Sequence, residues 1–426
     1  MGFLGGMVVT SLGNSVRACL AAAATIAASA LPVQAAEPIK IGFSMALTGG
    51  GAANGKVALI SLKIWEADVN EKGGLLGRPV KLVYYDDQTA PAQVPGIYTK
   101  LLEVDKVDLI LGPYSTIMNA PLMPIAMAHN MVLVSLTALG VNEQFHYPKY
   151  FSSVQTGPNP TLVFSHGYFA AAAAQNPKPQ TVAMASSDQE FSRNATDGAR
   201  ENAKAAGLKI VYDKSYPPTT ADFAPIVRAI QATDPDLLYI ASYPPDSVGM
   251  LRAISEIGFK PKMVGGSMVG LNNTTIKMQL GPLLNGVVGY ENWLPLKPLM
   301  FPGVEAMLKK YQAQASAAGA DPLGYNTATS AYAYAQVLEE GVEGAKSFDQ
   351  DKISSWLHHN ELHTVLGDFR FGADGEWDQS RFLTVQYRNI TSKTLDQFSD
   401  PTKVAVIDPP AFKTGDLIYP YEKAVK

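Results

Sequence analysis

Two kinds of apolar pattern alternate along this chain. Short continuous runs rich in β-branched residues predict strands, and runs whose apolar residues recur every three or four positions predict helices. Eight strands are predicted, at Ile39–Met45, Val80–Tyr85, Val107–Leu111, Val132–Leu136, Thr181–Ala185, Ile210–Tyr212, Leu237–Ala241 and Val287–Tyr290. Seven helices are predicted between them, at Asn54–Glu71, Ala92–Asp105, Met118–His129, Thr161–Ala174, Ser192–Ala206, Phe223–Gln231 and Ser247–Ile257.

The first predicted helix illustrates the reasoning. Ala58, Leu62, Trp65 and Val69 recur at spacings of four, three and four, which places them on one face of a helix. The glycine pair at 73–74 then ends the helix, because glycine readily takes the left-handed conformation found there. Repeated alternation of strand and helix predicts an α/β fold of parallel sheets with helices on both faces.

Three interruptions of the alternation predict passages of the chain between two lobes. They lie at residues 147–160, 291–293 and 367–369. A chain of 426 residues is long for one domain, and 47% hydrophobic residues give each of two lobes enough apolar surface for a core. Because the chain passes three times, neither lobe is one continuous segment. We predict two lobes, lobe 1 from residues 36–155 and 292–366, and lobe 2 from residues 156–291 and 367–426.

Residues 1–35 are predicted to be a cleaved secretion signal. Arg17 supplies a positive flank, Ala18–Leu31 is an apolar run of small residues, and residues 33–35 place small side chains where a signal peptidase reads them. We expect cleavage after Ala35 and a periplasmic protein. The alternative is a membrane anchor, but the apolar run is short for a span.

Composition removes several classes of site. Cys19, the only cysteine, lies within the predicted signal, so no disulfide, thiolate nucleophile or cysteine metal ligand is expected in the mature chain. His359 and His363 lie four apart, but no histidine has the spacing of a zinc hydrolase. A net charge of −4 with 17% charged residues lacks the basic face that nucleic acid requires. We predict no metal, no cofactor and no nucleic acid partner.

The loop at residues 50–57 nearly fits a phosphate-binding P-loop, but Val57 stands where a Ser or Thr would hold magnesium. We interpret it as a flexible loop whose backbone can approach a small ligand. No Gly-x-Ser-x-Gly motif is present, and the paired acids at 86–87 are typical of caps and turns. The sequence therefore predicts a binding protein and no enzyme.

Hydroxyl side chains follow two neighbouring strands. Ser115 and Thr116 stand where a helix begins after one strand, and Thr137 follows the next strand. Helix capping alone explains Ser or Thr at such a position. A helix start can also hold a carboxylate, because its free N–H groups and dipole favour negative charge. Loops at adjacent strand ends form the cleft in which α/β sheets bind ligands.

Aromatic residues stand at several other predicted strand ends, namely Tyr114, Phe191, Tyr243 and Trp293. Each alone is more typical of a structural position than of a binding residue. Together they predict walls for an apolar or planar ligand.

Several short motifs are shared with a known family. They are Ile39-Lys40-Ile41-Gly42, Leu47-Thr48-Gly49, the glycine-rich run at 70–77, Tyr85-Asp86-Asp87, Ala221-Asp222-Phe223 and the run Leu366-Gly367-Asp368-Phe369-Arg370-Phe371. Over about residues 39 to 380 the chain resembles the periplasmic solute-binding proteins of ABC transporters, in the branched-chain amino acid-binding group, which includes an aromatic-acid-binding subgroup. The resemblance implies a type I fold, in which two lobes joined by three crossovers close on a ligand and deliver it to a membrane permease.

The resemblance also implies a ligand site. Ser115 and Thr116 match the family's carboxylate-binding helix start, and Thr137 and Ala138 match its second hydroxyl loop, although the second threonine of that loop falls on Leu139. The residues predicted to bind ligand are Asn54, Tyr114, Ser115, Thr116, Thr137, Ala138, Phe191, Tyr243 and Ser267.

Departures from the family pattern bear on the ligand. The loop at 265–268, which contains Ser267, lacks the acid that pairs with a ligand's ammonium, Gly157 replaces another acid, and Asn54 replaces a tyrosine. A buried ammonium without a carboxylate partner costs several kcal/mol. We therefore expect a carboxylate with an uncharged body, such as a benzoate or cinnamate derivative, captured by a monomer and passed to an inner-membrane permease.

Three alternatives remain open from the sequence. The ligand could be an amino acid or amide whose ammonium is held by Asp188 or Asp246. The chain could be the sensor domain of a signalling partner, which binds in the same way. It could also be a secreted hydrolase on a similar two-lobed frame.

Overall fold

A computed structural model describes residues 1–6 and 37–425. The chain divides into the unit Met1–Glu37 and the compact unit Pro38–Lys426, and residues 1–6 contain no helix or strand. Apart from its first six residues, the predicted secretion signal lies outside the described part of the chain. No helix in the described part is long and apolar enough to cross a membrane.

The first sheet has five strands, all paired in parallel. These are β1 (Ile39–Met45), β2 (Val80–Asp86), β3 (Leu109–Tyr114), β4 (Leu133–Leu136) and β5 (Tyr150–Ser152). Their order across the sheet is β2-β1-β3-β4-β5, and β1 starts its pairing with Ile39 opposite Val80. Both faces of β1 are buried, since Ile41 and Phe43 on one face and Ser44 on the other are fully inaccessible, as expected of a strand covered on both sides.

The second sheet has seven strands and a mixed edge. Five of them pair in parallel, namely β6 (Thr181–Ser187), β7 (Lys209–Tyr216), β8 (Leu237–Ser242), β9 (Met263–Met268) and β10 (Val288–Glu291). A separate hairpin, β11 (Leu362–Thr364) with β12 (Gly367–Phe369), precedes the last two strands, β13 (Leu383–Tyr387) and β14 (Val404–Asp408). β13 pairs antiparallel with β10, and β14 antiparallel with β13. The expectation of a wholly parallel second sheet is therefore wrong at this edge, because the returning chain adds its strands as a hairpin-like pair.

Fourteen α-helices lie in the described part of the chain. They are α1 (Ala52–Glu71), α2 (Val94–Glu103), α3 (Thr116–Asn119), α4 (Met123–Ala128), α5 (Asn142–Phe145), α6 (Pro160–Ala173), α7 (Glu190–Ala205), α8 (Ala224–Gln231), α9 (Pro244–Ile257), α10 (Thr274–Leu280), α11 (Val304–Ala315), α12 (Thr327–Ala345), α13 (Gln350–His359) and α14 (Asp396–Ser399). Short 3₁₀ turns join several of them, at Pro91–Gln93, Ala120–Leu122, Val269–Asn272, Gly281–Leu284, Lys297–Leu299, Pro401–Lys403, Pro410–Phe412 and Tyr421–Lys423.

All eight predicted strands are present, with ends displaced by a few residues. The single helix predicted at Met118–His129 is wrong, since the structure has α3, a 3₁₀ turn and α4 there. Pro121 and Pro124 account for the division, because proline lacks the N–H that a continuous helix would use. Strands β5 and β9, the four strands after residue 360 and all helices after residue 270 were not predicted.

The chain passes three times between the two sheets. After β5 it enters α6, beside the second sheet. After β10 it returns to α11 and α12, which pack on α1. Trp65 of α1 is fully buried, and its Nε1 donates to Glu339 Oε2 of α12 at 2.7 Å. The first lobe is therefore completed by residues far along the chain.

The last passage lies close to the first. Trp377 Nε1 donates to the Ser152 carbonyl of β5 at 3.1 Å, and Arg381 N donates to the Gln155 carbonyl at 2.9 Å. β13 begins at Leu383 in the second sheet. The two-lobed fold with three crossovers is confirmed. The lobe boundaries given above stay a proposal, and these hydrogen bonds favour a last passage between Trp377 and Leu383.

Candidate functional site

The site lies where the winding of the first sheet reverses. β2 and β3 flank β1 on opposite sides, so the chain leaves β1 and β3 in opposite directions and a crevice opens at their carboxyl ends. A cavity lined by residues of both lobes lies there. Seven of the nine predicted binding residues line it, namely Asn54, Tyr114, Ser115, Thr116, Thr137, Phe191 and Tyr243.

The first lobe contributes two strained loops to the cavity. Ser115, after β3, has φ 82°, and Thr137, after β4, has φ 53°, which are left-handed conformations that cost energy for residues other than glycine. Main-chain bonds hold both loops in place. Ser115 N donates to the Leu136 carbonyl at 3.0 Å, and Thr137 N donates to Ser153 Oγ at 3.2 Å. The hydroxyls are therefore presented from fixed backbone.

The hydroxyls of Thr116 and Thr137 differ in whether they can still donate or accept a hydrogen bond. Thr116 Oγ1 accepts from Leu139 N at 3.0 Å, which leaves its O–H free to donate. Thr137 Oγ1 donates to the Leu136 carbonyl at 2.8 Å and can still accept. No side chain caps α3, which begins at Thr116, although a helix of four residues has only a small dipole.

A hydrogen bond joins the lobes beside the cavity. Asn54, at the start of α1 and 2% exposed, donates from Nδ2 to the Tyr114 hydroxyl at 2.6 Å. Its Oδ1 accepts from Asn273 Nδ2 of the second lobe at 3.1 Å. Burial raises the pKa of Tyr114 to about 12, so the phenol is neutral. The lobes are thus closed over the cavity.

Aromatic rings of the second lobe form another wall. Phe164, Phe191, Tyr243 and Tyr290 line the cavity. Phe164 meets Phe191 and Tyr290 edge-on, with ring centroids 5.4 and 5.0 Å apart. Phe382, from the last passage, stacks behind Tyr290 at 4.9 Å. Such a wall suits a flat apolar group.

Two predicted binding residues lie elsewhere. Ser267 is buried within β9, where its hydroxyl lies 2.6 Å from the Tyr239 hydroxyl and 3.4 Å from the Phe164 carbonyl. The loop predicted at 265–268 is itself strand, so the side chain packs in the sheet. The Ala138 side chain is buried in the first lobe's core, and the predicted contact of its backbone with the ligand stays a prediction. Trp293, also expected at a wall, donates from Nε1 to the Leu299 carbonyl inside the fold.

No charged residue is among those lining the cavity. The two acids considered as ammonium partners are engaged elsewhere. Asp188 pairs with Arg193 at 3.0 Å on the surface, and buried Asp246 accepts from the Tyr216 hydroxyl at 2.8 Å. The cavity is polar in places but carries no countercharge.

Seven lining residues were missed from the sequence, namely Val154, Phe164, Val269, Asn272, Tyr290, Asn292 and Thr327. Asn292 lay within a predicted passage and Tyr290 at a predicted strand end, so both had a detectable signal. The side-chain amide oxygens of Asn272 and Asn292 are buried and make no hydrogen bond.

In the described part of the chain, no three His, Cys, Asp or Glu side chains come together as they would around a metal ion. His359 ends α13 and His363 lies on β11, so the two do not share a helix face. His363 instead bonds Asp368 Oδ1 at 2.8 Å.

Comparison with known proteins identifies the family. Residues 38–388 match the family model described as periplasmic binding protein. A Leu/Ile/Val-binding protein of Citrobacter freundii is 24% identical over 364 residues, which cover 83% of this chain and 92% of that protein.

Two solved structures have a similar fold. One is an ABC transporter solute-binding protein of R. palustris in complex with 4-hydroxybenzoate, with TM-score 0.72 and 20% identity over 89% of this chain and 98% of that one. The other is a branched-chain amino acid transporter substrate-binding protein of Streptococcus pneumoniae in complex with isoleucine, with TM-score 0.69 and 18% identity over 88% and 100%. The family match confirms the resemblance carried by the short motifs: the chain belongs to the periplasmic binding protein family, in its branched-chain amino acid-binding group.

Proposed function

We propose that this protein captures a small carboxylate with an uncharged, aromatic body between its lobes and delivers it to an ABC permease of the inner membrane. The observation that carries the proposal is the absence of any charged side chain from the cavity lining. An amino acid would bury its ammonium there without a carboxylate partner, at a cost of several kcal/mol.

Each part of the ligand has a counterpart in the site. The free O–H of Thr116 and the hydroxyl of Ser115 would donate to the carboxylate, as hydroxyls and main-chain amides do for anions. Phe191 and Tyr243 would pack on the body of the ligand. Binding without catalysis is expected, since the site has neither a charged acid nor a base beside these hydroxyls.

A second candidate ligand is a branched-chain amino acid, which the name of the Citrobacter freundii relative favours. Its ammonium would have to be held by neutral carbonyl oxygens alone. This makes the amino acid the natural competitor in any binding assay.

A thermal-shift screen separates the two ligands. Purified protein is heated with benzoate, hydroxybenzoates and cinnamates, and separately with leucine and isoleucine. A ligand present at 100 times its Kd stabilises the folded state by about 2.7 kcal/mol, which is readily measured. We expect an aromatic acid to raise the melting temperature. Stabilisation by leucine with no aromatic acid active would overturn the proposal.

The proposed setting can be tested separately. We propose a periplasmic monomer, released by cleavage after Ala35, because a two-lobed trap needs freedom to open. Light scattering on the secreted protein measures its mass. Uptake of the stabilising ligand by cells with and without the gene distinguishes a transport component from the sensor domain of a signalling partner.

A further inference from the structure

Two polar side chains on the cavity wall lack partners. They are those of Asn272 and Asn292, whose amide oxygens are buried and accept no hydrogen bond. Nearly all buried polar atoms of folded proteins are hydrogen-bonded, because an unpaired buried group loses its bonds to water and gains nothing in return. Two such groups on one cavity indicate that the ligand supplies their partners.

The two amides come from one edge of the second sheet. Asn272 ends the 3₁₀ turn that follows β9, and Asn292 directly follows β10. β9 and β10 are parallel neighbours, with Val288 opposite Gly265, so their carboxyl ends meet at the cleft. The hydroxyls of Ser115, Thr116 and Thr137 enter the same cavity from the other lobe.

Asn292 is held rigidly. The main-chain N–H of Asn292 donates to Asn326 Oδ1 at 2.5 Å, and Asn326 Nδ2 donates to the Glu291 carboxylate. Glu291 is fully buried and paired with Lys277 Nζ at 2.5 Å. Asn272 is followed by Asn273, whose side chain bonds Asn54 across the cleft. The main chain at both residues is therefore held in place while the lobes are closed.

The chemistry of these groups defines what they recognise. A side-chain amide carries one acceptor and two donors and has no net charge. A hydroxyl or a carboxamide on the ligand satisfies such a pair of amides. A charged second group would be desolvated without a countercharge, and a plain hydrocarbon end would leave both amides unpaired.

We propose that the ligand carries, in addition to its carboxylate, a second uncharged hydrogen-bonding group, a hydroxyl or carboxamide, that the side chains of Asn272 and Asn292 bind. This inference rests on the proposed function, since it concerns the other end of the same carboxylate ligand. Asn272 and Asn292 are then specificity-determining residues, because a site built to bond a hydroxyl strongly rejects the analogue that lacks it.

Matched ligand pairs test the inference on the wild-type protein. Affinities for 3- and 4-hydroxybenzoate and 4-carbamoylbenzoate are compared by calorimetry with those for 3- and 4-methylbenzoate, which have nearly the same shape as the hydroxy acids. We expect at least one polar ligand to bind ten or more times more tightly than its methyl partner, a factor of ten being about 1.4 kcal/mol. Equal affinities within every pair would overturn the inference without any variant being needed.

Substitutions then assign the effect to residues. Asn272→Leu and Asn292→Leu keep the side-chain size and remove the amide, so each should reduce the hydroxyl-over-methyl preference severalfold while methylbenzoate affinity is kept or improved. Thr116→Val is the control, because it should weaken both members of a pair alike. A preference unchanged in both leucine variants would overturn the assignment. If the protein binds leucine but no aromatic acid, the proposed function fails together with the inference. If it binds aromatic acids with equal affinity for the hydroxyl and methyl partners, only the inference fails.

Discussion

At the scale of single residues, Thr116 has the hydroxyl whose bonding is most informative. Its oxygen accepts from Leu139 N at 3.0 Å, so the same atom fixes the second loop and can donate to a ligand. We predict that Thr116→Val weakens carboxylate binding about tenfold, near 1–1.5 kcal/mol for one lost hydrogen bond. Thr116→Ser, which keeps the hydroxyl, should bind nearly as well as wild type. Calorimetry measures both, and equal weakening in the two variants would exclude a role for the hydroxyl.

Glu376 sets a residue-scale dependence on pH. This residue is 3% exposed. Burial, with a smaller effect of the nearby carboxylates of Asp374 and Glu143, raises the pKa of Glu376 to about 8. The folded protein therefore holds this proton up to a higher pH than the unfolded chain does.

The sign of the effect follows from this proton. Between the unfolded pKa, near 4.3, and about pH 8 the folded state binds more protons at Glu376, so its contribution to stability falls as pH rises. Each unit of pKa difference corresponds to about 1.4 kcal/mol. We predict that Glu376→Gln flattens this fall and makes the protein more stable than wild type at pH 9. Urea unfolding from pH 5 to 9 measures it, and parallel curves for the two proteins would refute the assignment.

At the scale of elements, the turn from β3 into α3 is held in a conformation that suits glycine. Ser115 has φ 82° and ψ 159°, a region nearly restricted to glycine, where other residues carry about 1–3 kcal/mol of strain. We predict that Ser115→Gly is more stable than Ser115→Ala by about 1 kcal/mol, because glycine relieves the strain but loses more chain entropy on folding. Both variants lose the hydroxyl and should bind ligand equally weakly. Thermal unfolding compares them, and an alanine variant as stable as the glycine one would contradict the strain.

The strands and helices also show why some parts of the site could not be predicted from the sequence. Apolar periodicity found α1, which contains Asn54 near its start, and β3 and β4, which Ser115 and Thr137 directly follow. β9 was missed because Gly265 and Gly266 are typical of turns. Here they serve close approach, since a Cβ on Gly265 would lie 1.9 Å from the Val288 carbonyl oxygen. Because β9 was interpreted as a loop, residues 265–268 were expected to face the ligand. The segment that lines the cavity is the 3₁₀ turn Val269–Asn272 after β9, so Asn272 was not predicted.

At the scale of the whole molecule, hydrogen bonds between the lobes hold the closed form. Asn194 Nδ2 on α7 donates to the Leu139 carbonyl of the first lobe at 2.9 Å, beside the Asn54–Asn273 pair. Opening the cleft would break these bonds, so they favour the state that retains ligand.

We predict that Asn194→Ala weakens binding of every ligand by the same factor, about fivefold for roughly 1 kcal/mol. Asn202, on the same helix, bonds the Leu162 carbonyl within the second lobe at 2.8 Å. Asn202→Ala should therefore lower the melting temperature and leave affinity nearly unchanged. Calorimetry with two ligands measures the effect, and a change of preference in the Asn194 variant would point to direct ligand contact instead.

The whole-molecule architecture was largely predictable, since strand–helix alternation and the breaks at 147–160 and 291–293 indicated two lobes. The antiparallel edge of the second sheet was not. β13 pairs with β10, which is almost a hundred residues earlier in the chain, and β14 pairs with β13, and local patterns carry no record of such distant partners. Asn292 lay in a predicted passage but was not chosen as a binding residue, because its position depends on Asn326, 34 residues later in the chain.

The burial of Trp65 against α12 has a consequence for biogenesis. The indole ring of α1 finds its partner Glu339 only after nearly three hundred further residues have been made. A nascent chain that stops at β10 therefore has all five strands of its first sheet but lacks part of its helical cover. Such a partly synthesised chain leaves the apolar face of α1 uncovered until α11 and α12 have been made. We therefore expect the amino-terminal half to complete its folding only after the carboxy-terminal half is present.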